Sequence, residues 1–374
     1  MTVITWFILP IICAIAVAIY LYQKIKAIVS YFAADWSPKR QRITTVIAAL
    51  ILIVPAVRIY GIWFIILLHL TAFLLITDGI VFIIKKIRKK KEYSKLCEKI
   101  YRSGIIAVVL TVIVIGYGRY NIFQVVRTEY TLQTQKDIRS EGYRLVLLSD
   151  LHYGVSMNDE QLQKAADRIS EEHPDIVVLD GDIVDENTTP AQMKSAFKIL
   201  GRINSKYGIY YTYGNHDKNN YSTTPNYTVD QLAETIKKNN IQILEDNTTI
   251  INNEIALIGR ADRGDGNEKR QKISKLTSKL DKNQEWIVLD HQPSDYENVK
   301  NARCDIILSG HTHAGQIWPA DLVASLFRFD GLNYGKLQQD KLNAVVTSGI
   351  AGWGYPIRTE KHSEYVVLNL VPER

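Results

Sequence analysis

Residues 143–152, with the sequence YRLVLLSDLH, and residues 176–185, with the sequence IVVLDGDIVD, decide the fold class of this chain. Each stretch begins with apolar residues that predict a buried strand and ends in acidic or histidine side chains. Between them, Asn158 is a good N-cap for a helix in which Leu162, Ala166 and Ile169 share one face. A strand, a helix and a second strand in this order favour a sheet covered on both faces, so we predict a layered α/β or α+β sandwich.

The same alternation continues towards the end of the chain. A helix is expected around residues 193–200. Short apolar runs predict further strands at residues 208–212, 241–244, 254–258, 286–289, 306–308, 344–347 and 365–370. The alternation begins only after Arg127, which separates this part from a different N-terminal part.

Polar side chains follow the carboxyl ends of several of these strands, which is where open α/β sheets place their ligands. Five of the eight histidines in the chain lie at such positions. Taken one at a time, each of these residues is more often a surface or capping residue than a ligand, but their joint occurrence favours a site. The candidates are Asp150, His152, Asp182, Asn215, His216, His291, His311 and His313.

Carboxylate and imidazole side chains that converge on one point favour Mn, Fe or Zn. Asp150 and His152 are two residues apart, and side chains two apart along a strand point to the same face. A shared carboxylate can hold a second ion about 3.5–4 Å from the first, a spacing that clamps a phosphate. Glycines beside Asp182, Asn215 and His311 leave room for close backbone approach. We therefore predict two divalent metal ions as cofactors.

The N-terminal part has a different composition. Residues 1–119 carry 16 Lys and Arg against 4 Asp and Glu, whereas the rest has a net charge of −6. Apolar stretches in this part are long enough to cross a bilayer. We predict a membrane anchor over residues 1–120 and a connector over residues 121–142. About four transmembrane helices are expected in the anchor, at residues 3–22, 43–60, 62–84 and 104–120.

Lys and Arg cluster in the loops after the first and the third of these predicted spans. Because short basic loops stay in the cytoplasm, the N-terminus and everything after the fourth span are predicted to lie outside it. We expect a multi-pass cell-membrane protein, in contact with membrane lipids, whose larger C-terminal domain is extracytoplasmic. The negative charge of that domain argues against a nucleic-acid partner, which would need a cationic track for the phosphate backbone.

Five motifs occur in a fixed order: Asp-x-His at 150–152, Gly-Asp-x-x-Asp at 181–185, Gly-Asn-His-Asp at 214–217, a separate His291 and Gly-His-Thr-His at 310–313. This set resembles the calcineurin-like metallophosphoesterase superfamily. The extension of the last motif through Ala-Gly-Gln, with Gly-Trp-Gly at 352–354, resembles its bacterial membrane-associated phosphohydrolase branch. The resemblance implies a layered αββα sandwich with mixed sheets over residues 143–374. It also implies hydrolysis of a phosphoric ester or phosphoanhydride bond.

The same resemblance implies a role for each candidate residue. Asp182 would bridge two ions, one held also by Asp150, His152 and His313 and the other by Asn215, His291 and His311. His216 would protonate the leaving oxygen or steady the transferring phosphoryl group. Asp185 and Asp217 would orient ligands, and Asp180 has no assigned role.

The sequence constrains the substrate less than it constrains the fold class or the candidate ligands. Residues 317–329 are too apolar for an ordinary loop beside a site. They predict either a helix packed on the sheet or a lip that dips into the headgroup region of a membrane. The lip favours a phosphorylated, lipid-linked substrate. A catalytically silent membrane sensor or binding protein stays open as an alternative, as does a nuclease or cyclic nucleotide phosphodiesterase. No oligomeric state is predicted.

Overall fold

The computed structural model describes residues 9–58, 61–88, 94–265, 270–327 and 332–373. The chain divides into two compact units, residues 1–117 and residues 118–374. Each unit has its own elements and its own packing.

The first unit is helical. Its elements are α1 (Leu9–Phe32), α2 (Pro38–Ile53), a 3-10 turn (Val54–Val57), α3 (Ile62–Arg88), α4 (Lys95–Ser103) and α5 (Ile105–Asn121), whose last residues belong to the second unit. Within the described residues, the segments Ile12–Phe32, Pro38–Val57 and Ile62–Ile87 are each long and apolar enough to cross a membrane. The helices α4 and α5 meet at a 53° bend and pass the same test only as a pair.

Three of these helices differ in extent from the predicted spans, and α3 continues four residues past its predicted end, to Arg88. Helix α1 continues through Lys24 to Phe32, ten residues past the predicted end, and residues 3–8 of the predicted span lie outside the described residues. Lys24 is tolerated because it forms an ion pair with Asp78 of α3. Helix α2 begins at Pro38, where Ser37 caps the first turn by accepting a hydrogen bond of 3.3 Å from the Arg40 amide. The assignment of four membrane spans stays a prediction.

The second unit contains two six-stranded sheets. Its strands are β1 (Val125–Thr134), β2 (Tyr143–Leu148), β3 (Ile176–Asp180), β4 (Ile209–Thr212), β5 (Ile241–Ile243), β6 (Asn247–Ile251), β7 (Ile255–Gly259), β8 (Glu285–Leu289), β9 (Ile306–Ser309), β10 (Gly335–Gln339), β11 (Leu342–Val346) and β12 (Ser363–Pro372). The sheet orders are β1-β12-β2-β3-β4-β5 and β10-β11-β9-β8-β7-β6. Both sheets are mixed, since β12 is antiparallel to β2 and β10 is antiparallel to β11.

Helices cover the outer face of each sheet. The helices on the first sheet are α6 (Asp159–Glu171), α7 (Pro190–Leu200) and α8 (Val229–Lys238), and those on the second are α9 (Ile273–Leu276) and α10 (Tyr296–Asn301). Leu145 and Leu147 of β2 pack with Leu257 of the other sheet, whereas Val146 between them packs with the first group of helices. The resulting αββα order, with mixed sheets and apolar N-terminal helices, confirms the predicted fold class.

Strand β1 lies within residues 121–142, for which the sequence predicted a connector. It pairs in parallel with β12 over ten residues, from Val125 opposite Ser363 to Thr134 opposite Pro372. Most of its residues are exposed or half-buried. An edge strand needs few apolar residues, so this strand gives only a weak signal in the sequence.

Candidate metal centre

The candidate ligands lie on tight turns just after the strands. Asp150, His152, Asp182, His311 and His313 all have positive φ angles, between 40° and 71°. Such angles are uncommon outside glycine and concentrate at functional sites. The alternation of side chains along a strand was therefore the wrong reason to place Asp150 and His152 together, because β2 ends at Leu148 and both residues follow it.

Asp150, His152 and His313 form a first buried group, whose potential ligand atoms lie within 4.8 Å of one another. The Nε2 atom of His313 is 3.2 Å from Nε2 of His152 and 3.4 Å from Oδ1 of Asp150. Burial lowers the pKa of His313 to about 3, so its imidazole is neutral and keeps a lone pair. Two imidazole nitrogens and a carboxylate aimed at one point fit a divalent cation.

Asp182, His291 and His311 form a second group with the same 4.8 Å limit. Nε2 of His291 is 3.0 Å from Oδ2 of Asp182. The other ring nitrogen of His291, Nδ1, donates to the Asp180 carbonyl at 2.7 Å and so directs Nε2 into the site. Burial would lower the pKa of His291, but Asp182 and Asp150 raise it well above its usual value, which shows how strongly this point attracts positive charge.

Asp182 connects the two groups. Its Oδ2 atom is 3.0 Å from His291 of the second group and 3.7 Å from Nε2 of His152 in the first. Burial would raise the pKa of this carboxyl, but the charges of His291 and His152 hold it well below its usual range. A carboxylate between two sets of imidazoles has the position required of a bridge.

Asn215 is buried, and its Oδ1 atom has no hydrogen-bond donor among the described residues. An unpaired buried acceptor is costly, and a metal ion would satisfy it. The residues present therefore fit a pair of divalent ions. Gly310 gives the site the close packing that it needs, because a Cβ atom there would collide with Ser149 and with the Asp150 carboxylate.

His216 lies beside the first group, with its ring centroid 5.2 Å from that of His152. Its Nδ1 atom is 2.9 Å from Oε2 of Glu186. Burial would lower the pKa of His216, but Glu186, Asp182 and Asp185 raise it. Sequence reasoning missed Glu186, although it directly follows Asp185 of the second motif.

Three acidic residues around the candidate ligands contact different parts of the site. Oδ2 of Asp185 lies 3.5 Å from Nδ1 of His152. Asp217 accepts hydrogen bonds of 2.8 and 2.6 Å from the amides of Asp182 and Gly214, so it holds together the two turns that carry Asp182 and Asn215. Asp180 supports His291 through its backbone carbonyl, and burial raises the pKa of its own carboxyl to about 7.

Sequence reasoning also missed Arg358, which is completely buried behind the first group. Its guanidinium donates to the carbonyls of His313 at 2.8 Å, Ser348 at 2.9 Å and Ala351 at 2.7 Å. Burial lowers the pKa of Arg358 to about 10, so it stays charged at neutral pH. No pattern in the sequence near Arg358 signals this role.

Fold and site together define a metal-dependent phosphoesterase, and comparison with known proteins agrees. The model of the calcineurin-like phosphoesterase family matches residues 143–315. An uncharacterized metallophosphoesterase of Campylobacter jejuni is 29% identical over 287 residues, which cover 76% of this chain and 73% of that protein. A transmembrane protein with metallophosphoesterase domain from Danio rerio is 30% identical over 292 residues, which cover 72% of this chain and 63% of that protein.

The UDP-2,3-diacylglucosamine pyrophosphatase LpxG of Chlamydia muridarum is 23% identical over 303 residues, covering 67% of this chain and 90% of that protein. The chain therefore contains a calcineurin-like metallophosphoesterase domain, a domain of phosphoester hydrolases. Its aligned part spans less than two thirds of the Danio rerio relative.

Proposed function

We propose that this chain is a membrane-anchored phosphohydrolase that uses two divalent ions to cleave a phosphate ester or pyrophosphate of a membrane-associated, lipid-linked substrate. One ion would be held by Asp150, His152, Asp182 and His313, and the other by Asp182, Asn215, His291 and His311. The observation that carries this proposal is the position of the Asp182 carboxylate between the two groups.

Two divalent ions at these positions would withdraw charge from the phosphoryl oxygens and lower the pKa of water towards about 7. His216 is placed to give a proton to the leaving oxygen, because Glu186 favours its protonated form. The Asp182 carboxylate accepts a hydrogen bond of 2.9 Å from the His216 amide, so the ligand and the acid are held in one fixed geometry.

Metal content and hydrolysis, measured on the full chain in detergent, test the catalytic part of this proposal. We expect Asp182→Asn to lower both the metal content and kcat. His216→Ala should keep the metal and lose about 10²–10⁴-fold in kcat, as removal of a general acid does. Asp340→Asn is the matched control, since Asp340 is an exposed carboxylate on a turn. Wild-type protein that binds two ions but hydrolyses no phosphoester or anhydride would instead indicate a binding protein.

Helix α11 (Ala320–Phe327) supports the lipid-linked substrate. It begins seven residues after His313, and its side chains Leu322, Val323 and Leu326 are 52%, 41% and 69% exposed. These three side chains are therefore not packed on the sheet. A helix packed on the sheet was the alternative prediction for residues 317–329. The side chain of Phe327 and the whole of Phe329 lie outside the described residues. Apolar side chains exposed beside a site suit an amphiphilic ligand.

The relative LpxG is named as a UDP-2,3-diacylglucosamine pyrophosphatase, which is consistent with this substrate class. The test replaces Leu322 and Leu326 together by Ser. We expect kcat/KM for a detergent-dispersed lipid phosphate to fall at least tenfold more than kcat/KM for p-nitrophenyl phosphate. The paired change Ile250→Ser and Leu337→Ser, at exposed positions on edge strands, is the control. Equal losses for both substrates would contradict a lipid-linked substrate.

The proposal also includes four membrane spans and an extracytoplasmic catalytic domain. The basic loops of the sequence support this orientation. A single cysteine placed at exposed Asp340, with the exposed Cys13 and Cys97 changed to Ser, provides the test. An impermeant maleimide should label this cysteine in intact cells. Labelling only after lysis would place the domain in the cytoplasm.

A further inference from the structure

Two aromatic rings contact His216 in addition to its contacts within the metal centre. The ring centroid of Tyr221 is 4.9 Å from that of His216, and the centroid of Trp353 is 5.5 Å from it. Tyr221 is 65% exposed, which is unusual for an aromatic residue beside a buried site. Trp353 is half-buried. We call Tyr221 and Trp353 the aromatic pair.

The aromatic pair is held by the same segments that carry the candidate ligands. The hydroxyl of Tyr221 accepts a hydrogen bond of 3.3 Å from Nδ2 of Asn215. The Trp353 amide donates to Oε1 of Gln316 at 2.9 Å, and Nε2 of Gln316 donates to the Trp353 carbonyl at 3.1 Å. Gln316 comes three residues after His313. The backbone of Trp353 and the hydroxyl of Tyr221 are therefore tied to the segments that carry the candidate ligands.

The position of His216 tells which part of a substrate the pair would contact. His216 is the proposed donor of a proton to the leaving oxygen, so groups in contact with its ring lie near the leaving group rather than near the phosphoryl group. Aromatic side chains bind the faces of other rings, by stacking on a π system or by contact with C–H groups. Neither ring offers a charge that would recognise a second phosphate.

We propose that the aromatic pair is a leaving-group subsite that packs against the face of a ring carried close to the scissile phosphate. A nucleobase presents a π face and a sugar ring presents a face of C–H groups, and each packs on an aromatic side chain. The inference rests on the proposed function, because His216 marks the leaving-group side only if the site hydrolyses a phosphoester or anhydride. Together with α11, the subsite implies a substrate that carries a ring next to its phosphate in addition to an apolar part.

Matched substrates with and without a ring test the subsite on the full chain in detergent. For monoesters, phenyl phosphate and glucose 1-phosphate carry a ring and glycerol 1-phosphate does not. For anhydrides, uridine diphosphate carries rings and inorganic pyrophosphate does not. We expect Tyr221→Ala and Trp353→Ala each to lower the ratio of kcat/KM for ring-bearing over ring-free substrates by about tenfold. A larger loss for phenyl phosphate than for glucose 1-phosphate would identify an aromatic ring such as a base, and the reverse would identify a sugar.

Two controls separate stacking from other effects. Tyr221→Phe keeps the ring and removes only the hydroxyl that contacts Asn215, so it should preserve the substrate ratio. Leu337→Ala shortens an exposed side chain on edge strand β10 and should leave kcat/KM unchanged for every substrate. If Tyr221→Ala and Trp353→Ala lower kcat for all substrates equally, the pair only supports His216 and the subsite is overturned. If the wild type hydrolyses only a detergent-dispersed lipid phosphate, the pair recognises no ring and the subsite is overturned. If it hydrolyses none of these substrates, the proposed function itself fails.

Discussion

At the scale of single residues, the site depends on buried side chains that never reach the substrate. Arg358 is the clearest of these, because its buried guanidinium joins the His313 carbonyl to two other loops. No acidic group among the described residues lies within ion-pair distance of it, so its charge is balanced by carbonyl dipoles and by the field of Asp150 and Glu364. Loss of this cation would leave the Ser348 and Ala351 carbonyls without the donor that the described residues provide, while the His313 carbonyl would keep the Gln316 amide.

We therefore expect Arg358→Met to lower the free energy of unfolding by about 2–4 kcal/mol and to weaken metal binding. Arg358→Lys should recover part of both, because an ammonium group can reach some of the same carbonyls. Chemical denaturation and metal titration of the purified protein measure the two effects. Arg168→Met is the control, since Arg168 is exposed and donates to a single carbonyl, that of Val125. Unchanged metal affinity in a folded Arg358→Met protein would limit Arg358 to a stabilising role.

Glu186 provides a prediction about pH. Burial would lower the pKa of His216, but the hydrogen bond to Glu186, together with the charges of Asp182 and Asp185, makes the net shift upward. A general acid is active while protonated, so a raised pKa extends activity to higher pH. In Glu186→Gln the pKa of His216 should fall, and the alkaline limb of the kcat/KM profile should move to lower pH. The profile is best measured with an alkyl phosphate, whose leaving oxygen needs the proton. An unmoved alkaline limb would show that His216 is not the acid.

At the scale of elements, edge strand β1 of the first sheet is joined to β8 of the second by a polar contact, in addition to the apolar core between the sheets. The hydroxyl of Thr134, at the end of β1, donates to the carboxyl of Glu285, the first residue of β8. Glu285 is only 2% exposed, and burial together with nearby Asp305 raises its pKa to about 7. The hydrogen bond from Thr134 and the charge of Lys136 favour the ionised carboxylate, but burial and Asp305 outweigh them.

The sign of the pH effect follows from this raised pKa. Glu285 takes up a proton more readily in the folded state than in the unfolded state, so its contribution is fully present below pH 4.5 and is lost as the pH rises through about 7. Glu285→Gln, which is permanently neutral, should therefore be more stable than the wild type at pH 8, by about 1–3 kcal/mol, and equally stable at pH 4. Urea denaturation at the two pH values measures this. A destabilised Gln variant at pH 8 would contradict the raised pKa.

At the scale of the whole molecule, the metal centre lies where turns after β2, β3 and β4 of one sheet meet turns after β8 and β9 of the other. Bound ions would therefore stabilise the second unit as a whole, while the apolar helices of the first unit contain no part of the centre. Ligands that bind only the folded state add about 2.7 kcal/mol when present at a hundred times their Kd.

We expect chelation by EDTA to lower the unfolding temperature of the second unit by several degrees, and added Mn²⁺ to restore it. Tryptophan fluorescence in detergent follows this transition. The Asp182→Asn variant should show little further change with EDTA. An unfolding temperature that does not respond to chelation in a wild type shown to lose its ions would argue against metal binding at the junction of the sheets.

The sequence by itself determined the apolar helices, most strands and the set of polar residues after them, because hydrophobic periodicity and short motifs are local properties. It did not determine β1, whose polar residues are stable as a strand only because β12 lies beside them. Nor did it indicate Glu186, Arg358 or the aromatic pair as neighbours of the metal centre. Tertiary structure alone decided these, since each depends on a contact that forms only when the strands pair and the loops after them meet.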